Sequence, residues 1–266
     1  MALVDVNGTR LWIEEQGSGP AVLFVHGGLG DLRLWEPQAT ALADSFRTIR
    51  FDLRHYGRSE SPPVEWATLD DLFGVLDALD VERAAIVGLS LGGGLAIDAA
   101  LARPDRVWAV AHVAGGLAGV PLDLLTEAEE AEFDAAVERG DLDAAMAIDF
   151  RLWAPLGSDE LLRELWLATP DARGIPDGAA HRPRPPVVER LAEITVPTLA
   201  IVATHDPEQL REQGLTVARR VPAAQLVEID SDHYLTLREP ERVAEVLHDF
   251  LAASAPTAST PSSSSY

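Results

Sequence analysis

The chain has no cysteine and no lysine among its 266 residues. Without cysteine it can form no disulfide bond, carry no thiol nucleophile and offer no thiolate to a metal ion. All 21 basic residues are arginine, and 43 acidic residues bring the formal net charge to −22. Binding to phosphate backbones or anionic membranes depends on clustered cations, so this charge balance argues against nucleic acid and membrane as partners.

Long apolar runs are also missing. The N-terminal residues Met1–Asp5 provide neither a basic start nor an apolar stretch, so we predict no signal peptide. No apolar segment reaches the roughly 18 residues that a transmembrane helix needs. We therefore predict a cytoplasmic protein, and its length is sufficient for a full hydrophobic core.

Short apolar strands alternate with helical segments along most of the chain. The predicted strands are Ala2–Val6, Thr9–Glu15, Ala21–Val25, Phe46–Phe51, Ala84–Val87, Val107–Val113, Val196–Ala203 and Gln225–Ile229. The predicted helices are Leu34–Ala43, Leu69–Leu79, the Ala/Leu-rich run after Ser90, Glu208–Val221 and Pro240–Ala252. Thr68 and Asp71 predict a capping pair for the second of these helices. The alternation predicts an α/β fold with a mostly parallel sheet covered on both faces.

Residues 117–190 interrupt the alternation. They contain helical segments at Thr126–Glu138, Leu142–Trp153 and Ser158–Leu167 and then the proline-rich Ile175–Pro186. Such an insertion predicts a helical cap over one end of the sheet. We therefore predict a core made of residues 1–116 and 191–252, with a cap of residues 117–190. Residues 253–266 are rich in Ser, Thr, Ala and Pro, which predicts a disordered tail.

The pentapeptide Gly88-Leu89-Ser90-Leu91-Gly92 lies between an apolar strand and a helical run. A serine on so sharp a turn stands on strained backbone, and small flanking residues let strand and helix pass closely. Its hydroxyl then lies near a helix N-terminus, whose unpaired N–H groups favour developing negative charge. Ser90 is thus a candidate nucleophile, although the pentapeptide alone also fits a strand-to-helix turn with a capping serine.

Two further residues complete a candidate triad. A serine hydroxyl needs a base to take its proton, and the base needs an acid to hold its tautomer. His233 directly follows the last strand, and Asp206 follows the strand before it, where an Asp before proline also suits a loop or a helix cap. The carboxyl ends of these strands should meet beside the glycine loop that begins at His26. We expect the His26 side chain to hold the loop backbone in place rather than to titrate.

With these motifs the chain resembles the α/β-hydrolase superfamily, in its branch of small, cap-bearing, esterase- and lactonase-like serine enzymes. The resemblance spans residues 3–252 and rests on His26-Gly27-Gly28-x-Gly30 with Trp35, Asp52-x-Arg54-x-x-Gly57-x-Ser59, Gly88-x-Ser90-x-Gly92-Gly93, Asp206, and His233 followed by Glu239-Pro240. It implies an α/β-hydrolase fold: a mostly parallel eight-stranded sheet with helices on both faces and a helical cap insertion. The order Ser, Asp, His along the chain is also that of this superfamily.

The resemblance also implies the remaining parts of a site. The oxyanion hole is implied to be the backbone N–H groups of Leu91 and Gly28, with Leu29 as the alternative to Gly28. Leu29 and Leu89, which flank the nucleophile with Leu91, suggest an apolar substrate pocket. Among the large apolar residues of the cap, Trp153 is a candidate to line it, although most of these residues must pack the cap itself.

Three loop positions depart from the family pattern. His55, Asp232 and Ala203 stand where the family usually has glycine. Asp232 could perturb the neighbouring histidine or adjust its loop, and His55 could line the site. Neutral drift in loops explains each departure equally well. None of the three is the nucleophile, base or acid.

A serine nucleophile favours acyl chemistry on a small ester or lactone, with an acyl-enzyme that water resolves. Related haloalkane dehalogenases and epoxide hydrolases place Asp at this position, which disfavours both. We expect no cofactor and no metal, a small-molecule ester or lactone and water as partners, and a monomer or homodimer. The alternatives are carbon–carbon bond hydrolysis or acyl transfer on the same triad, or a receptor-like binding protein. Arg182 and Arg184 in the cap could attract a carboxylate or simply be solvated.

Overall fold

A computed structural model describes residues 1–169 and 186–256 of the chain. The strands are β1 (Ala2–Val6), β2 (Thr9–Gln16), β3 (Ala21–Val25), β4 (Arg47–Phe51), β5 (Ala84–Leu89), β6 (Val107–Val113), β7 (Thr198–Ala203) and β8 (Gln225–Ile229). They form one eight-stranded sheet in the order β1-β2-β4-β3-β5-β6-β7-β8. The pairs β1–β2 and β2–β4 are antiparallel and the others parallel, which confirms the predicted mostly parallel sheet.

The helices lie between the strands as the alternation predicts. They are α1 (Glu36–Leu42), α2 (Thr68–Ala78), α3 (Leu91–Ala102), α4 (Glu127–Glu138), α5 (Leu142–Trp153), α6 (Glu160–Leu167), α7 (Val187–Arg190), α8 (Glu208–Arg220), α9 (Leu235–Arg238) and α10 (Pro240–Ser254). The helix predicted over Leu34–Ala43 is confirmed from Glu36 to Leu42, and a 3-10 turn at Leu32–Trp35 precedes it. Pro37 has no N–H to donate to the preceding turn, so the α-helix begins beside it.

The capping pair predicted for α2 is wrong. The helix begins at Thr68 with Ala67 as its N-cap, and the Asp71 carboxylate instead accepts hydrogen bonds from Arg54 Nε at 2.9 Å and Nη2 at 3.0 Å. Both side chains are buried, at 0% and 2% exposure for Arg54 and Asp71. A buried carboxylate needs a charged partner more than a helix end needs a cap, so the long-range pair prevails over the local motif.

Two hydrophobic clusters cover the two faces of the sheet. Neighbouring residues of β5 alternate between them, with Ile86 in one cluster and Val87 in the other. Residues of α2 and α3 belong to the first cluster, and residues of α1 and α10 to the second. Helices therefore cover both faces, which confirms the predicted arrangement.

The cap segment contributes helices and no strand among its described residues. Its helix α5 spans Leu142–Trp153 as predicted, and Thr126 caps α4 through a capping box with Glu129. Leu162 and Leu165 of α6 join the second cluster, so this helix packs directly on the core. Most of the proline-rich stretch, with Arg182 and Arg184, lies outside the described residues. The tail predicted over 253–266 is wrong at its start, because α10 continues through Ser254, and its part from residue 257 lies outside the described residues. The boundaries of the cap at 117 and 190 stay predictions.

No helix in the described ranges is both long enough and apolar enough to cross a bilayer. The longest of these helices, α10, has 15 residues, and it buries one face with Val243, Leu247 and Leu251 in the second cluster. Its amphipathic pattern is therefore that of a helix packed on a sheet.

Asp98 on α3 is a buried carboxyl group, and its Oδ1 atom has no hydrogen-bond partner in the described part of the chain. Burial raises the pKa of Asp98 from 3.8 to about 7, against the opposing influence of Arg190. Between these pH values the folded state binds a proton that the unfolded state has lost. The contribution of Asp98 to stability therefore falls as the pH rises from about 4 to about 7.

We expect Asp98→Asn to become more stable relative to the parent protein as the pH rises from 4 to 8, by about 2–4 kcal/mol. Urea denaturation of both proteins at several pH values measures this difference. Asp44→Asn, which removes one charge from an exposed residue, controls for the change in net charge. A stability difference for Asp98→Asn that does not change with pH would contradict the expectation.

Candidate active site

Ser90 occupies the corner between β5 and α3, in the turn Gly88–Gly92, here called the elbow. Its backbone has φ 56° and ψ −115°, a strained conformation for a residue with a side chain. A Cβ atom on Gly88 would lie 1.9 Å from the carbonyl oxygen of Gly92, and one on Gly92 would lie 2.2 Å from that of Val25. Glycine on both sides is therefore required by the close approach of strand, turn and helix.

Backbone hydrogen bonds hold the elbow in place. The Ser90 N–H donates to Val113 O at 2.9 Å, and the Ser90 carbonyl accepts from Gly93, Gly94 and Gly116. The elbow is thus fixed to the end of β6 and to Gly116, just before the predicted cap. Ser90 remains partly exposed, and Leu91 is 44% exposed, so this corner faces outward from the sheet.

His233 and Asp206 meet on adjacent loops. The loop after β7 pairs with the loop after β8 through Thr204 N–H to Ile229 O and His205 N–H to Ser231 O, at 2.9 and 3.0 Å. This pairing brings His233 Nδ1 to 3.1 Å from Asp206 Oδ1 and 3.2 Å from Oδ2, and both side chains are buried. An ionised carboxylate only accepts, so Nδ1 carries the proton and Nε2 keeps its lone pair.

The other acidic residues near the histidine face elsewhere. Asp230 is exposed and accepts hydrogen bonds from His205 Nε2 at 2.9 Å and Thr204 Oγ1 at 3.1 Å. Asp232 is fully buried and binds Arg238. In the described part of the chain, no direct hydrogen bond joins Ser90 Oγ to the imidazole. Such bonds are often long in ligand-free sites and tighten when substrate binds.

The glycine loop after β3 lies against the elbow. A Cβ atom on Gly27 would be 3.1 Å from the Cβ atom of Ser90, so the loop backbone passes directly beside the serine. Gly28 follows in this loop and is partly exposed. On the other side, Leu91 opens α3, and a first-turn N–H group has no acceptor within its helix. Leu91 is thus part of the elbow, and Gly28 directly follows the glycine that lies against Ser90. Their role as oxyanion donors stays a prediction.

His26 ties this loop to the loop after β4. Its Nε2 accepts from the Leu53 N–H at 3.0 Å, so Nδ1 carries the proton and donates to Gly27 O at 2.7 Å. Burial lowers the pKa of His26 to about 4, outweighing the hydrogen bond to Gly27, so the ring is neutral. These contacts give His26 a backbone-ordering role, with both ring nitrogens occupied.

The Asp52 motif is structural in the same way. Asp52 Oδ1 accepts from the Leu32 N–H at 2.9 Å and Oδ2 from the Arg58 N–H at 2.8 Å, while Ser59 Oγ donates to the Asp52 carbonyl. Burial raises the pKa of Asp52 to about 6, although both backbone donors act in the opposite direction. The motif from Asp52 to Ser59 is recognisable in the sequence, but its spacing does not reveal that Asp52 binds the Leu32 N–H, in the segment after the glycine loop.

The predicted lining residues occupy different environments. The ring of Trp153, at the end of α5, lies 4.5 Å from that of His233 between centroids. Leu29 is half-buried in the glycine loop, whereas Leu89, within the elbow, is 2% exposed and packs in the second cluster. His55 has a φ of 75°, which explains why glycine is usual there, and its ring packs on Trp66 at 5.3 Å.

Comparisons with known proteins agree with this architecture. A family model described as the alpha/beta hydrolase fold matches residues 20–240. The chain is 26% identical over 258 residues to the 3-oxoadipate enol-lactonase 1 of Acinetobacter baylyi, a match covering 93% of this chain and 92% of that protein. The solved structure of a thermophilic esterase from Thermogutta terrifontis, malate bound, is similar with a TM-score of 0.75 at 26% identity, covering 96% of this chain and 99% of that one.

A further relative matches only in part. Over 143 residues the chain is 38% identical to an epoxide hydrolase of Caballeronia sordidicola, and the match covers 52% of this chain and 41% of that relative. The family model, by contrast, extends from before β3 to the start of α10 and so includes every element of the candidate site. The chain therefore belongs to the alpha/beta hydrolase fold family, and the predicted fold is confirmed.

Proposed function

We propose that the protein is a serine hydrolase that cleaves a small carboxylic ester or lactone through an acyl-enzyme on Ser90. One observation carries the proposal: a serine on a strained elbow, at the edge of the sheet where a buried His233–Asp206 pair is also presented. A strained, outward-facing serine has no evident packing role. A buried imidazole hydrogen-bonded to a carboxylate is the arrangement that a general base requires.

In this proposal His233 Nε2 takes the proton of Ser90 Oγ as the hydroxyl attacks the substrate carbonyl. Asp206 holds the proton on Nδ1 and stabilises the imidazolium that forms. The N–H groups of Leu91 and Gly28 stabilise the tetrahedral oxyanion, each by about 10²–10³ in rate. The imidazolium then protonates the leaving oxygen, and the same nitrogen activates the water that releases the acid product.

Apolar side chains near the site favour a modest acyl or alcohol group in the substrate. Trp153 lies beside the imidazole, and both Leu29 in the glycine loop and Leu91 in the elbow keep exposed surface. Leu89 is already enclosed by protein, so we assign it a packing role instead. The similarity to an enol-lactonase and an esterase supports ester or lactone chemistry. Epoxide opening, as in the partial relative, is disfavoured by the serine nucleophile.

A substrate panel tests the proposal. We expect measurable kcat/KM values for short-chain p-nitrophenyl esters or small lactones, and background rates for a simple epoxide and a diketone. Carbon–carbon cleavage would instead give turnover of the diketone. A receptor-like protein would show a ligand-dependent rise in Tm without product. Either outcome, without ester or lactone turnover, would contradict the proposal.

A further inference from the structure

The carboxylate of Asp232, directly before His233 in the chain, connects the histidine loop to the cap. Its Oδ1 atom accepts hydrogen bonds from the Tyr234 N–H at 3.2 Å and from Arg238 Nε at 2.6 Å. Its Oδ2 atom accepts from the N–H of Leu156, in the loop between α5 and α6, at 3.2 Å. The carboxylate itself is completely buried, whereas Arg238 and Leu156, its partners, keep some exposure.

Arg238, at the end of α9, makes the second connection to the same cap loop. While its Nε atom binds Asp232, its Nη2 atom donates to the carbonyl of Gly157. The planar guanidinium therefore holds the carboxylate with one donor and the cap backbone with another. Asp232 and Arg238, here called the clamp, bind the consecutive residues Leu156 and Gly157 from the side of the histidine loop.

The clamped loop follows directly after Trp153. A tight turn joins them, with Gly157 N–H donating to Ala154 O at 2.9 Å and Ala154 N–H to Phe150 O at 3.0 Å. The Trp153 ring lies against His233, and the Phe150 ring lies edge-on to Tyr234 at 6.4 Å between centroids. Only two residues, Ala154 and Pro155, separate Trp153 from Leu156, and they lie in this hydrogen-bonded turn.

We propose that Asp232 and Arg238 are positioning residues that fix the end of α5 on the histidine loop and thereby hold Trp153 against the His233 imidazole. Their consequence for turnover rests on the proposed function, in which His233 is the base. A buried ion pair is weak support for stability, because apolar residues of similar volume often serve as well. The clamp is therefore assigned a role in positioning the end of α5 rather than in stabilising the fold.

Asp232→Asn tests the clamp with little change in shape. If the amide oxygen of the asparagine faces Arg238 and Tyr234, its NH₂ group faces the Leu156 N–H, and two donors cannot form a hydrogen bond. If the amide is turned round, the hydrogen bonds from Arg238 and Tyr234 are lost instead. We expect amide hydrogen exchange at Leu156 to accelerate by about 10-fold or more. We expect kcat for a p-nitrophenyl ester to fall by about 10–100-fold with a smaller change in KM, because Trp153 no longer holds the His233 imidazole in its position.

Arg238 is partly exposed and offers a second route if Asp232→Asn folds poorly. Arg238→Gln should also accelerate exchange at Leu156 and lower kcat. Arg238→Lys should show smaller changes in both, because it keeps a positive charge beside Asp232. Glu14→Gln is the matched control, because it removes the carboxylate of another buried pair, with Arg50 Nη2 at 2.8 Å between β2 and β4. It should lower Tm without changing kcat or exchange at Leu156.

Unchanged exchange at Leu156 and unchanged kcat in both Asp232→Asn and Arg238→Gln would overturn the clamp, even if Tm fell as in the control. Failure of the proposed function is recognised separately, by a Ser90→Ala variant that retains turnover. In that case the exchange measurement alone still decides whether the clamp holds the cap loop.

Discussion

Replacing Ser90 with alanine is expected to lower kcat for a p-nitrophenyl ester by about 10⁶-fold, because a triad acts as a unit and nothing replaces its nucleophile. Alanine differs from serine only by the hydroxyl oxygen, so the elbow keeps its hydrogen bonds to Val113 and Gly93, which involve backbone alone. Steady-state kinetics with purified variant and parent protein measure the loss.

The control for Ser90→Ala is Ser45→Ala, which removes a hydroxyl from an exposed residue far along the chain from the elbow. It should keep the parent kcat. Near-normal turnover in Ser90→Ala, with the same Tm as the parent, would mean that the serine is only a turn residue and that the hydrolysis has another nucleophile.

Replacing Asp206 with asparagine is expected to lower kcat by about 10⁴-fold. In the parent protein His233 Nδ1 lies 3.1 Å from Asp206 Oδ1. An asparagine NH₂ group at this place can donate to Nδ1, and this favours the tautomer with the proton on Nε2. That nitrogen then cannot accept the proton of the serine hydroxyl. The geometry stays the same while the base is disabled, so kcat falls with little loss of stability.

Asp230→Asn is the matched control for this prediction. Asp230 lies in the same pair of loops, but it is exposed and bonds to His205 and Thr204 instead of the candidate base. We expect parent-like kcat from it. A harmless Asp206→Asn beside an inactive Asp230→Asn would show that the acid is assigned to the wrong residue.

The sheet could be predicted because its strands are short and separated by clear turn residues, and because β3, β5, β6 and β7 are strongly apolar and fully buried. Four of them, Ala2–Val6, Ala21–Val25, Val107–Val113 and Gln225–Ile229, have the predicted bounds. The candidate site followed from the same pattern, since residues directly after parallel strands collect at one edge. The backbone-ordering role of His26 could also be predicted, because a histidine at the start of a glycine loop is surrounded by backbone groups.

Long-range pairing is what the sequence could not reveal. Nothing local indicates that Asp71 binds Arg54 rather than capping α2, because the two are 17 positions apart and their contact depends on how α2 packs. The same is true of Asp232, whose partner Leu156 is 76 positions away in the predicted cap. Its departure from glycine was visible, but the backbone that it binds was not. Spacing likewise cannot show that Leu89 is enclosed.

The most direct test of the central claim is rapid mixing of the protein with p-nitrophenyl acetate beside the Ser90→Ala variant. An acyl-enzyme on Ser90 predicts a burst of about one equivalent of nitrophenol in the parent protein, followed by slower steady release, and no burst in the variant. Slow release of equal rate in both proteins, with no burst in either, would contradict an acyl-enzyme on Ser90.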